Sequence, residues 1–121
     1  MRAISAIHML VIVYKVHDLF FRAKIEQICS QSGASVAIAD STEELKHMLS
    51  SPKRVLVVLD LANCRPELAS IASLCSNVGA QVLGYYSHVD VETRIAAAQA
   101  GIKNISTKSG LEKNLSNLVF S

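Results

Sequence analysis

The chain lacks the features that would assign it to several common classes. No apolar run approaches the roughly 20 residues that a membrane-spanning helix requires. The leader Met1-Arg2-Ala3-Ile4-Ser5-Ala6-Ile7-His8-Met9-Leu10 sets one positive charge before an apolar stretch, but Lys15 and Asp18 interrupt it soon afterwards and no clear cleavage site follows. Neither a targeting signal nor a transmembrane segment is therefore predicted, and the expected location is cytoplasmic. The three cysteines, Cys29, Cys64 and Cys75, have no CxxC spacing, which argues against a metal or thiol-redox site and for apolar packing in a reducing compartment. Charge of one sign is not in excess: twelve basic against ten acidic side chains give a formal +2, with the basic residues scattered, so no nucleic acid partner is expected. No linker or low-complexity tract divides the 121 residues, which suit one domain, with residues 1–7 a frayed leader.

What is present is a core. Half of the residues are apolar and only 18% are charged, the balance of a folded globular chain. Its organising stretch is Arg54-Val55-Leu56-Val57-Val58-Leu59-Asp60, β-branched and without alternation, which predicts a strand buried on both faces in a parallel sheet under helices. Asp60 then lies at the carboxyl edge of that strand, where open α/β sheets place their ligands.

Similar units flank it. A strand from His8 to about Lys15 leads to a helix capped by Asp18, with Phe21, Ile25, Ile28 and Cys29 at helical spacing and Gly33 closing it. The strand Ala34 to Asp40 is followed by Ser41-Thr42-Glu43-Glu44, a capping box for a helix carrying Leu45, Met48 and Leu49, stopped by Pro52. After Asp60, Pro66 is placed in the first turn of a helix whose buried stripe is Leu68, Ile71, Cys75 and Val78. The fourth strand, Gln81 to Tyr86, precedes a helix through Ala100. Lys103 to Thr107 forms a short fifth strand, and Leu111, Leu115 and Leu118 turn a last helix toward the sheet. Gly33, Gly79 and Gly101 each fall between a helix and a strand, where positive φ is wanted. Five strand–helix units with right-handed crossovers predict a three-layer α/β sandwich.

In this arrangement the chain resembles a response-regulator receiver domain over roughly residues 8 to 119. The resemblance implies a flavodoxin-like five-stranded parallel sheet of order 2-1-3-4-5. It implies that Asp60 corresponds to the phosphorylated aspartate, Ser87 to the small hydroxyl residue after the fourth strand, and Lys108 to the lysine after the fifth. The chain departs from the family at its metal site, where two adjacent acidic residues at the end of strand one bind Mg²⁺; here those positions are Tyr14 and Lys15. Ser109 stands where proline is common, and Gly110 replaces a large apolar residue. Asp18-Leu19-Phe20-Phe21 with Ser87-His88-Val89-Asp90 is similar to a small group of stand-alone receiver-like proteins.

Aspartyl phosphorylation needs a nucleophile, a divalent ion, and a cation and hydroxyl to receive the product. Asp60, Lys108 and Ser87 supply all but the ion site, and Lys15 puts a positive charge where the ion belongs. The expectation is therefore a pseudo-receiver without enzymatic activity, metal or cofactor, in which Lys15, Lys108 or both hold Asp60 and Asp18 caps its helix rather than replacing a metal ligand. Tyr14 fills the space left by the missing acidic pair. A phosphoacceptor Asp60 is the alternative. Flavin binding is disfavoured because Tyr14-Lys15-Val16-His17-Asp18 has no glycine to cradle a phosphate. His17, His88 and Asp90 are assigned to local hydrogen bonding or helix capping. The expected partner is a protein or a second copy, through the Val82 to Val119 half, with Ala96, Ala97 and Ala100 packing across a two-fold.

Overall fold

A computed structural model describes residues 9–120; the leader, including His8, lies outside the described residues. Five strands, β1 Met9–Tyr14, β2 Ser35–Ala39, β3 Arg54–Asp60, β4 Gln81–Tyr85 and β5 Asn104–Ser106, pair in parallel in the order β2-β1-β3-β4-β5. Five helices connect or follow them: α1 Leu19–Ser32, α2 Thr42–Leu49, α3 Leu68–Val78, α4 Val91–Gln99 and α5 Lys108–Val119. The flavodoxin-like, receiver-like fold expected from the sequence is the fold observed.

The unbroken apolar run of β3 has its predicted cause. Successive side chains point to opposite faces, so Leu56 and Val58 join α1 and α5 in one layer while Val55, Val57 and Leu59 join α2, α3 and α4 in the other. All five are buried. Fully burying a side chain of this kind is worth about 1.5–3 kcal/mol, so this one strand ties both layers together. Each of the three cysteines is buried in one of the two layers, and burial raises their thiols to about 11 for Cys29, about 12 for Cys64 and about 11 for Cys75.

Local signals end the helices where expected. Gly33, Gly79 and Gly101 hold φ of 85°, 73° and 100°. Ser41 Oγ accepts the Glu44 N–H at 3.2 Å, and the Glu44 carboxylate reaches back to the Asp40 N–H at 2.8 Å, one residue earlier than the usual reciprocal bond. Two expectations are corrected. Pro66 lies within a 3-10 segment, Ala62–Glu67, that precedes α3 rather than in the helix's own first turn, and Val78 is exposed at the end of α3 instead of completing its stripe. Gly84 has a packing reason: a Cβ there would lie 2.5 Å from Leu61 Cδ2, and Leu61 is fully buried over it.

Candidate functional site

Parallel pairing brings the ends of β1, β3, β4 and β5 to one edge, and with them Tyr14, Lys15, Asp60, Ser87 and Lys108. Asp60 Oδ1 accepts the Ala62 N–H at 3.2 Å. Its Oδ2 accepts from Tyr85 OH at 3.2 Å and from Asn63 Nδ2 at 3.3 Å. Tyr85 is 3% exposed and packs edge-on against Phe21, with ring centroids 4.8 Å apart. Burial, and then the charge of Asp60, raise its phenol far above the ordinary value. The Asp60 carboxylate is thus met by neutral donors.

Neither lysine holds it. The expected Lys15–Asp60 contact is not formed: Lys15 Nζ donates to Glu67 Oε2, and that hydrogen bond raises the lysine's pKa. Lys108 Nζ lies 2.5 Å from Asp18 Oδ2 and 5.5 Å from the centre of the Phe21 ring. Among the described residues, no lysine or arginine forms an ion pair with Asp60. Both cations have nearer carboxylates, and a lysine satisfied by one close partner gains little by leaving it.

Glu67 is the centre of the β1 side. Its Oε1 accepts from Tyr14 OH at 2.7 Å and from Thr42 Oγ1 at 3.3 Å, while Oε2 takes Lys15. Burial alone would raise its carboxyl, but the bonds from Lys15 and Tyr14, together with the charge of Lys15, outweigh that and hold it below the usual range. The cluster joins the 3-10 segment to β1 and α2. Tyr14 is fully buried and its phenol is raised, first by burial and then by Glu67.

Lys15 itself has φ 55°, the one positive φ outside glycine among the described residues. A conformation of this kind costs on the order of 1 kcal/mol, and it persists because the residue is held at three points. Its N–H donates to Ala39 O at 3.0 Å, its carbonyl accepts from Asn63 Nδ2 at 2.9 Å, and its ammonium is on Glu67. The strained backbone aims the cation at Glu67.

The other side of Asp60 is open. A cavity of about 500 Å³ is bordered by Asp60, Tyr86, Ser87, His88, Thr107, Lys108 and Ser109. Ser87 and His88 are exposed there. Asp18 has two uses, capping α1 by accepting the Phe21 N–H at 3.1 Å and taking Lys108, and these bonds, Lys108 first, lower its carboxyl. His17 meets Asp40 at 3.7 Å rather than Asp18. Gly110 is small for a local reason: a Cβ would come within 2.9 Å of Ser106 Cβ.

The residues at this edge do not suit Mg²⁺, the ion the receiver fold implies. Hard oxygen ligands are needed at near-octahedral geometry; the β1 end offers a phenol already donating to Glu67 and a lysine ammonium. Among the described residues no group of three His, Cys, Asp or Glu side chains could hold a metal.

No protein-family model matches the sequence, and no curated protein matches it. Among solved structures, a response regulator from Thermotoga maritima superposes with a TM-score of 0.68, at 17% identity, over 93% of this chain and 98% of that one. The shared feature is the receiver fold. At so low an identity the similarity carries the architecture and leaves the chemistry to the residues. Among the described residues no helix is long and apolar enough to cross a membrane.

Sequence reasoning named Asp60, Ser87, Lys108, Asp18 and Lys15, which the structure places at this edge, but did not name Glu67, Asn63 and Thr42. Asn63 had a usable signal, being three residues after Asp60 in the loop. Glu67 had none, since its partners Tyr14 and Lys15 are more than fifty residues away.

Proposed function

We propose that the chain is an atypical receiver-like module that acts through protein contact, without Mg²⁺-dependent phosphorylation of Asp60 and without catalytic turnover. The observation that carries this reading is the Lys15–Glu67–Tyr14 cluster at the end of β1, which sets a cation and a committed phenol where a divalent ion would need carboxylates. Binding an ion there would require breaking these bonds and bringing it beside a lysine. Asp60 serves instead as a fixed acceptor that braces the 3-10 segment and Tyr85.

The partner we propose is a second copy, docked on the outer face of α4. Val91, Ile95 and Ala98, at i, i+4 and i+7, are exposed as one apolar stripe, with Val89 just before it. Exposed Glu92 and Arg94 flank the stripe, and opposite charges on a self-complementary patch are brought together by a two-fold contact. The alanines expected at that interface are not its surface: Ala97 is fully buried, and Ala96 and Ala100 pack on the sheet layer.

Intact-protein mass spectrometry with a small phosphodonor in millimolar Mg²⁺ tests the first reading, and no mass gain is expected. An Asp60-dependent gain of about 80 Da would favour the second, a phosphoacceptor. The open cavity with Ser87 and Lys108 beside Asp60 is the observation in favour of that alternative.

A further inference from the structure

The 3-10 segment Ala62–Glu67 is attached to four elements, β3, β1, α2 and α4. Its first N–H is on Asp60, and its last residue, Glu67, is on β1 and α2. Arg65, two residues before Glu67, goes the other way: Nη1 donates to Thr93 Oγ1, on α4, at 3.0 Å.

Thr93 is 1% exposed. Its hydroxyl has a single proton, which it gives to Asp90 Oδ2 at 2.6 Å, so its lone pairs are left facing Arg65. Asp90 Oδ1 accepts the Thr93 N–H at 3.2 Å and caps α4. The Thr93 hydroxyl and N–H bonds, and more weakly the charge of Arg65, hold the Asp90 carboxyl below its usual range. An N-cap needs only the Asp90–Thr93 pair. Arg65 is extra to capping, and it sets the orientation of the hydroxyl from a different element.

We propose that Arg65 is a positioning residue for the α4 surface, coupling the bonding state of the Lys15–Glu67 cluster, through the 3-10 segment and Thr93, to the helix that bears Val91 and Ile95. Because Glu67 and Arg65 share one short segment, a shift of Glu67 moves the guanidinium against a buried, fully bonded hydroxyl. Such a contact has few alternative arrangements, so the start of α4 follows. A helix capped only locally would not respond. The inference adds a means of control to the interaction surface proposed above and rests on that proposal only for its use, not for its geometry.

The test uses the ¹⁵N-labelled full chain. Lys15→Gln removes the charge on Glu67 Oε2 and leaves Oε1 on Tyr14 and Thr42, and the amide shifts of residues 91–95 are compared with wild type, first alone and then in an Arg65→Ala background. Lys15→Gln is expected to move those amides, and Arg65→Ala to abolish the response. Thr93→Val, similar in size and lacking the hydroxyl, should abolish it too, while Arg65→Lys, retaining a cation and a donor, restores part of it. Equal responses with and without Arg65, or no response in the wild-type background, would overturn the coupling. Sedimentation equilibrium on the same samples separates the two proposals: coupling in a chain that stays monomeric contradicts the docking surface alone, and a dimer without coupling contradicts the strut alone.

Discussion

The two sides of Asp60 are built differently. Toward β1, Tyr14, Lys15 and Thr42 converge on Glu67, and a positive-φ lysine is pinned by Ala39 and Asn63. Toward β4 and β5, Ser87, His88, Thr107 and Ser109 border an open cavity, and Lys108 is held at its rim by half-buried Asp18. The β1 side satisfies its own charges and has no place for an added ion. The other side leaves its hydroxyls exposed to the cavity. One sheet edge thus carries a self-satisfied charged cluster on one side of Asp60 and an open, hydroxyl-bordered cavity on the other.

Substitutions can break this contrast, beginning with the largest effect. Glu67→Ala leaves the Tyr14 hydroxyl and the Lys15 ammonium without their acceptor. Removing one partner from a part-buried charged network costs about 2–3 kcal/mol, to be read as a lower denaturation midpoint in urea. Asn63→Ala frees the Lys15 carbonyl and one bond to Asp60, and should cost about 1 kcal/mol on the same scale. Lys108→Ala, on the open side, removes an ion pair whose side chains are 50% and 36% exposed. Solvent screens a pair this exposed, so its midpoint should barely move. A loss from Lys108→Ala as large as that from Glu67→Ala would erase the distinction between the sides.

Acid sharpens the same comparison by a smaller amount. Because Glu67 is depressed in the folded state, its contribution is complete above its ordinary value of 4.5 and is lost as pH falls through the lower folded value. Wild type should therefore lose more stability than Glu67→Gln between pH 5 and pH 3, measured by urea titration at each pH. Asp18 and Asp90 are depressed as well, and their share of the acid response should be the same in both proteins. Identical pH profiles would mean that Glu67 is not held by Lys15 and Tyr14 in solution.

How much of this was legible in the sequence follows from the distance over which each feature is decided. The strand order was legible only through the resemblance to receiver domains, whereas the run from Val55 to Leu59, the Asp18 and Ser41 caps and the positive-φ glycines depend on neighbours within a few residues. Asp60 at a strand end was legible for the same reason. The destination of Lys15 was not. The resemblance, which sets Lys15 at the ion's place beside Asp60, suggested one carboxylate, but Glu67 arrives only through the path of the 3-10 segment. The alanines of α4 show another limit: small residues permit close approach on either face of a helix. What decides the face is that Val91 and Ile95 lie on the outside while Thr93 and Ala97 lie within.

The central claim is that the Lys15–Glu67 cluster takes the place of a divalent ion beside Asp60. The most direct measurement is a Mn²⁺ titration of the ¹⁵N-labelled chain, in which a bound paramagnetic ion broadens the amides closest to it. No site-specific broadening of Tyr14, Lys15, Asp60 or Leu61 is expected up to millimolar Mn²⁺. Saturable broadening at those four amides, reversed by excess Mg²⁺ and absent in Asp60→Asn, would contradict the account.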